Sequence, residues 1–124
     1  MARVRWPGVA AAIAGASAVL LGALGAHMLR GVLTATMLDV WHTAVRFQFW
    51  HALALAITAF PACRSHAGHL AAILFALGIV LFCGSLYALA LGAPTIIGVI
   101  TPLGGIAFIA GWIALGMAFW CDRP

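Results

Sequence analysis

Charge is nearly missing from this chain. Only 6% of its 124 residues are charged: six arginines, no lysine, two aspartates, and no basic run anywhere. A soluble domain carries about 25% charged and about 45–50% apolar residues. Here 66% are hydrophobic and the mean hydropathy is +1.19. A soluble enzyme or soluble binding module is excluded. So is a nucleic-acid footprint, which needs clustered cations. Cysteine is also sparse. Cys63, Cys83 and Cys121 have no metal-type spacing and suggest no disulfide framework, so reduced thiols are expected.

What the chain does have is long apolar segments. A helix needs about 20 apolar residues to cross the hydrocarbon, so the length allows about four spans and leaves no room for a soluble domain. The expected fold is an all-α integral membrane protein. It is a four-transmembrane-helix bundle forming one domain over 1–124, with spans near 6–26, 41–60, 69–91 and 102–120. The first segment has the basic start and apolar middle of a secretion signal. Its apolar part is too long for one, however, and three more spans follow, so it is expected to stay as the first span. In it Ala10, Ala14, Ala18, Gly22 and Ala26 make a ridge of small side chains that lets another helix approach closely. Gly84, Ala88 and Gly92 suggest a second such ridge. Residues 27–40 are too apolar for a free loop and predict a short interfacial helix between spans 1 and 2. The third connection, 92–100, is uncharged and apolar. It should pack on protein or lie in the interface, because lipid cannot satisfy free backbone groups. Thr101 and Pro102 then read as the cap and first position of the last helix. Trp112 is expected to pack mid-span and Trp120 to sit in the interface belt.

The second span carries the cost. Asp39, His42, Thr43 and Arg46 share one helical face, and Gln48 and His51 lie roughly opposite. At about 1.5 Å per residue, His51 stands on the order of 18 Å below Asp39, close to the bilayer middle. Arginine placement sets the orientation. Arg3, Arg5, Arg64 and Arg123 share one side, and Arg30 and Arg46 the other, which predicts both termini in the cytoplasm. With that topology His27, Asp39, His42, Thr43, Arg46, Gln48, His51, Ser85, Tyr87 and Thr101 are the candidate lining of one polar pocket, open outward. The inner half holds little beyond Ser17 and Thr58. Intramembrane polar and ionisable residues are functional candidates by default.

Four ordered motifs carry a resemblance. They are GALGAH ending at His27, WHTAVRFQFWHALAL starting at Trp41, GSLYAL around Ser85 and Tyr87, and ITPLGG followed by Trp112. Together they resemble the domain-of-unknown-function family 423, which holds YgdD-like bacterial inner-membrane proteins and the eukaryotic transmembrane protein 256. Phe47 stands where the family pattern has a tyrosine, so any role of that hydroxyl is absent here. The resemblance implies a small multi-span protein of the bacterial inner (plasma) membrane and implies no established activity.

Each candidate has a plainer reading. His27, His42 and Asp39 are residue types that bind Zn or Cu, yet no spacing motif supports a metal, and helix capping and hydrogen bonding explain them. Gln48 and His51 are read as helix ties, bonded to Ser85 or Tyr87, and Arg46 as the partner of Asp39 or of backbone carbonyls. Ser85 lacks a histidine–carboxylate arrangement, so nucleophilic catalysis is disfavoured and no catalytic residue or cofactor is assigned. The reading preferred is a structural or accessory protein in the lipid bilayer, a homo-oligomer or part of a larger membrane complex. The competing readings are a transporter or channel, and a small-molecule, lipid or ion binder or enzyme using the outer pocket. The bare inner half argues against a conducting path.

Overall fold

The computed structural model describes residues 6–121. Arg3, Arg5 and Arg123, three of the arginines in the orientation argument, lie outside them. The described chain is helical, and its one β-type pairing is an isolated bridge between Arg30 and Leu33. The elements are α1 (Trp6–His27), α2 (Ala35–Ile57), a single 3-10 turn (Pro61–Cys63), α3 (His66–Gly78), a π turn (Ile79–Cys83), α4 (Gly84–Ala90), a second 3-10 turn (Thr95–Val99) and α5 (Ile100–Cys121). Three runs are long and apolar enough to cross a membrane: Trp6–His27, His66–Ala90 and Thr95–Cys121. The α2 helix has 23 residues but is more polar, because of Asp39, His42, Arg46, Gln48 and His51.

Successive runs pack antiparallel. A Cβ at Gly8 would meet Ala59, and one at Gly25 would meet Trp41 and His42, so α2 lies along most of α1. Farther on, Gly78 meets Phe108, Gly111 meets Phe75, and Gly104 meets the backbone of Phe82. The α3 helix and the π turn after it therefore rest on α5, with two glycines of α5 and one of α3 at the contacts. Small residues at such crossings let backbones approach where lipid offers no hydrophobic drive for helix pairing. The core runs through Ala44, Leu55, Ala72, Phe75, Cys83 and Phe108.

Four sequence expectations change. The interfacial helix is not a separate element. Residues 28–34 form a tight turn with Gly31 at φ 86, and Thr34 caps α2 by accepting from the Met37 N–H at 3.2 Å. The apolar residues that suggested it belong to this turn and the first turns of α2. Thr101 is not a cap either. The helical path begins with the 3-10 turn at Thr95, so Thr101 lies inside α5, and Pro102 still falls in the first turn, where its missing N–H leaves no gap in the ladder. The Gly84–Ala88–Gly92 ridge packs on nothing at its ends. A Cβ on Gly84 would meet no atom within 4 Å, and Gly92 ends α4 at φ 99. The first ridge is used with a shift in register: Ala11, Ala18 and Gly25 are buried, and Gly22 faces Val45.

The π turn positions the polar residues beyond it. The Gly84 N–H reaches back five residues to the Ile79 carbonyl, and the buried stripe steps by five, from Gly78 to Cys83. A widened turn of this kind rotates the residues after it relative to a regular helix. Beyond it Tyr87 meets α2 while Ser85 meets α5.

Candidate functional site

The membrane-embedded polar groups form three separate junctions. In the first, the Tyr87 hydroxyl donates to Gln48 Oε1 at 2.7 Å. Gln48 Nε2 donates to the Ala14 carbonyl at 2.9 Å and to Ser17 Oγ at 2.7 Å, and Ser17 in turn donates to the Ala14 carbonyl at 3.1 Å. Both amide protons and the amide oxygen are engaged. One side chain thereby joins α1, α2 and α4 near the middle of α1. Tyr87 also packs edge-on against Trp41, with ring centroids 4.7 Å apart, and the Trp41 indole N–H donates to the Leu21 carbonyl at 2.9 Å.

The second junction is His51. Its Nδ1 lies 2.7 Å from the Phe47 carbonyl. A carbonyl only accepts, so Nδ1 carries the proton. Nε2 is then the acceptor for the Trp112 indole N–H at 3.1 Å. The imidazole lies flat on Phe108, with centroids 3.6 Å apart and planes 13° from parallel. Phe47 and Phe75 complete the aromatic surround. This neutral tautomer satisfies both nitrogens and joins α2 to α5. A proton on Nε2 would set donor against donor at Trp112.

In the third junction, the hydroxyls of Ser85 and Thr101 meet at 2.5 Å, and Ser85 donates to the Phe82 carbonyl at 2.9 Å. This joins α4 to α5. Among the described residues no buried side-chain nitrogen or oxygen lacks a hydrogen-bond partner.

The other candidates are not drawn in. Thr43 bonds back to the Asp39 carbonyl of its own helix at 2.9 Å. His42 is half-buried beside Gly25, and His27, Asp39 and Arg46 are exposed. Asp39 and Arg46 form no ion pair with any described residue, contrary to the pairing expected for Arg46. Gly22 lies opposite Val45, so Arg46 sits about five residues, roughly 8 Å, in from the end of α1. Side chains lean toward the N-terminus of their helix, here the near end, and a long arginine reaches the interface that way. Among the described residues no three of His, Cys, Asp or Glu gather as metal ligands would. The ten candidates therefore do not share one pocket: Gln48 and Tyr87 meet, Ser85 and Thr101 meet, and His51 stands with Trp112. Sequence reading missed Ser17, Trp41 and Trp112 as partners, although an indole N–H buried in lipid has to find an acceptor.

A groove of about 400 Å³ lies beside the first junction. Its walls come from α1 and from the α3–π–α4 run, its floor from α2. Ala10, Leu55 and Ala76 line one end, and Ser17, Gln48 and Tyr87 the other. The surface is otherwise almost wholly apolar.

Known proteins with similar sequences share the membrane character. The chain is 47% identical over 105 residues to the UPF0382 membrane protein YwdK of Bacillus subtilis, covering 82% of this chain and 85% of that one. It is 41% identical over 105 residues to a UPF0382 membrane protein of Haemophilus influenzae, with 84% and 85% covered. The UPF0382 inner membrane protein YgdD of Escherichia coli is 40% identical over 104 residues, with 82% and 79% covered. No solved structure matches. The family described as "Protein of unknown function (DUF423)" matches residues 21–105, a stretch that holds the three junctions apart from Ala14, Ser17, Phe108 and Trp112, and the chain belongs to that family of membrane proteins.

Proposed function

We propose that this chain is a four-span structural or accessory protein of the bacterial inner membrane, with both termini in the cytoplasm, that packs with copies of itself or with a larger membrane complex. The observation that carries the reading is the complete internal pairing of the buried polar side chains. Gln48, His51, Ser85 and Tyr87 spend their hydrogen-bonding groups within the bundle, on other helices and on their own backbone, which leaves little to engage a polar substrate or to line a conducting path. The fourth span is supported by the antiparallel run of α2 along α1, from Gly25 beside Trp41 to Gly8 beside Ala59. A helix of 23 residues in that position is about 35 Å long, enough to cross wherever α1 crosses. Lateral association is supported by the outer face of α1, where Ala12, Ala16 and Ala23 are exposed, the small residues that favour close helix approach.

The test is thermal unfolding of the purified protein in detergent. The His51→Leu variant removes the acceptor of Trp112 and the bond to Phe47, and its melting temperature is expected to fall by several degrees. An unchanged melting temperature, together with loss of a ligand-dependent phenotype, would replace the structural reading with a binding one.

A further inference from the structure

The groove between α1 and the α3–π–α4 run has an almost wholly apolar surface. It runs parallel to the helix axes. Ala10 to Ser17 on α1 covers about 10 Å and Ala76 to Tyr87 about 16 Å at 1.5 Å per residue, which approximates the depth of one leaflet in a hydrocarbon core about 30 Å thick. One end reaches the Ser17–Gln48–Tyr87 junction, near the middle of α1. The other points toward the bundle end where α1 begins. Its volume, about 400 Å³, lies within the range of small-ligand sites. Ile13 and Val80 rim the slot, 65% and 68% exposed, so it opens sideways into lipid.

The chemistry at its two ends decides what fits. Trp6 and His69 meet at the bundle end toward which the slot points, with ring centroids 6.1 Å apart, and the slot itself stays open sideways past Ile13 and Val80, where an acyl chain of the surrounding lipid lies alongside. A polar ligand is disfavoured because the polar groups at the closed end are already bonded to one another. The charge at the open end is complementary to a phospholipid. Arg64 is the cation at that end among the described residues, with the polar His66 and His69 beside it in sequence, and the acidic residue among the described ones, Asp39, lies on α2 near the opposite end. Trp6 and Phe60, exposed there, suit the headgroup level.

We infer that this groove seats one acyl chain of an anionic phospholipid from the leaflet at the α1 N-terminal side, with its headgroup beside Arg64 and its chain end against the Gln48 junction. The site is distinct from the structural role proposed above and does not depend on it. Native mass spectrometry of the full chain, released from nanodiscs of phosphatidylglycerol and phosphatidylcholine, tests it. The unaltered protein should retain one phosphatidylglycerol per chain. Gly84→Leu and Ala76→Leu fill the groove from two positions, and each should reduce that adduct at least tenfold. Gly116→Leu, on the lipid face of α5 and equally free of contacts, should keep it, as a control for a bulky addition. Arg64→Gln should abolish the preference for phosphatidylglycerol over phosphatidylcholine while leaving chain binding. No adduct on the unaltered protein, or equal retention by Gly84→Leu, Ala76→Leu and Gly116→Leu, would overturn the inference.

Discussion

A polar side chain in lipid is tolerated for one of two reasons, and α2 contains both. Gln48 and His51 are buried and bonded to other helices, whereas Arg46 is exposed near the end of the bundle and has no partner among the described residues. The consequences of mutation should separate accordingly. Arg46→Leu breaks no bond to a described residue and puts an apolar side chain at an exposed position of α2, so its melting temperature in detergent is expected to match or exceed that of the unaltered protein. A marked fall would show that Arg46 has a structural partner. Thr101→Val leaves Ser85 without its hydroxyl partner and should cost about 1 kcal/mol, read as a lower unfolding midpoint. These distinctions were only partly legible in the sequence. Gln48 and His51 announced themselves as polar groups at depth, and Tyr87 was among the partners named for them. Ser17 and Trp112 were not, because a serine or tryptophan in an apolar helix gives no sign of which neighbour it will meet. Arg46 and Asp39, seven residues apart on one face, suggested a pair that the geometry does not make.

At the scale of elements, glycine positions and the π turn set the contacts. A Cβ added at Gly104 would run into the backbone nitrogen of Phe82, where no side chain can swing aside. Gly104→Ala should therefore force α5 away from the π turn and destabilise by about 1–3 kcal/mol. Gly116→Ala adds the same methyl where nothing lies within 4 Å and should be neutral or slightly stabilising, since alanine is the better helix former. Denaturation of the two variants side by side checks this, and equal effects would contradict the packing described. The helices themselves were readable from hydropathy and length. Their fine structure was not. Glycine spacing suggested a ridge at Gly84, whereas the close approaches occur at Gly78, Gly104 and Gly111. The extra residue in the Ile79–Cys83 turn leaves no mark in a segment that is apolar throughout. The 28–34 turn looked helical because its leucines and methionine fit an amphipathic pattern, but Gly31 at positive φ and the Thr34 cap divide it from α2.

For the molecule as a whole, the polar junctions bind a helix that is not apolar enough by itself, α2, to three runs that are. The proposed four crossings put the two termini on one side, and the proposed orientation, drawn from the arginines of the sequence, puts that side in the cytoplasm. A reporter active only in the cytoplasm, fused after Pro124, is expected to be active; silence there with activity from a periplasmic reporter would reverse the orientation. The central claim is that Gln48 serves as a tie between helices, and a double-mutant cycle on unfolding in detergent addresses it most directly. Gln48→Leu, Tyr87→Phe and the double variant should give a coupling of about 0.6 kcal/mol or more, the average for hydrogen bonds between membrane helices, with about 1.7 kcal/mol as the upper bound. Strict additivity of the two substitutions, or a Gln48→Leu protein more stable than the unaltered one, would contradict it.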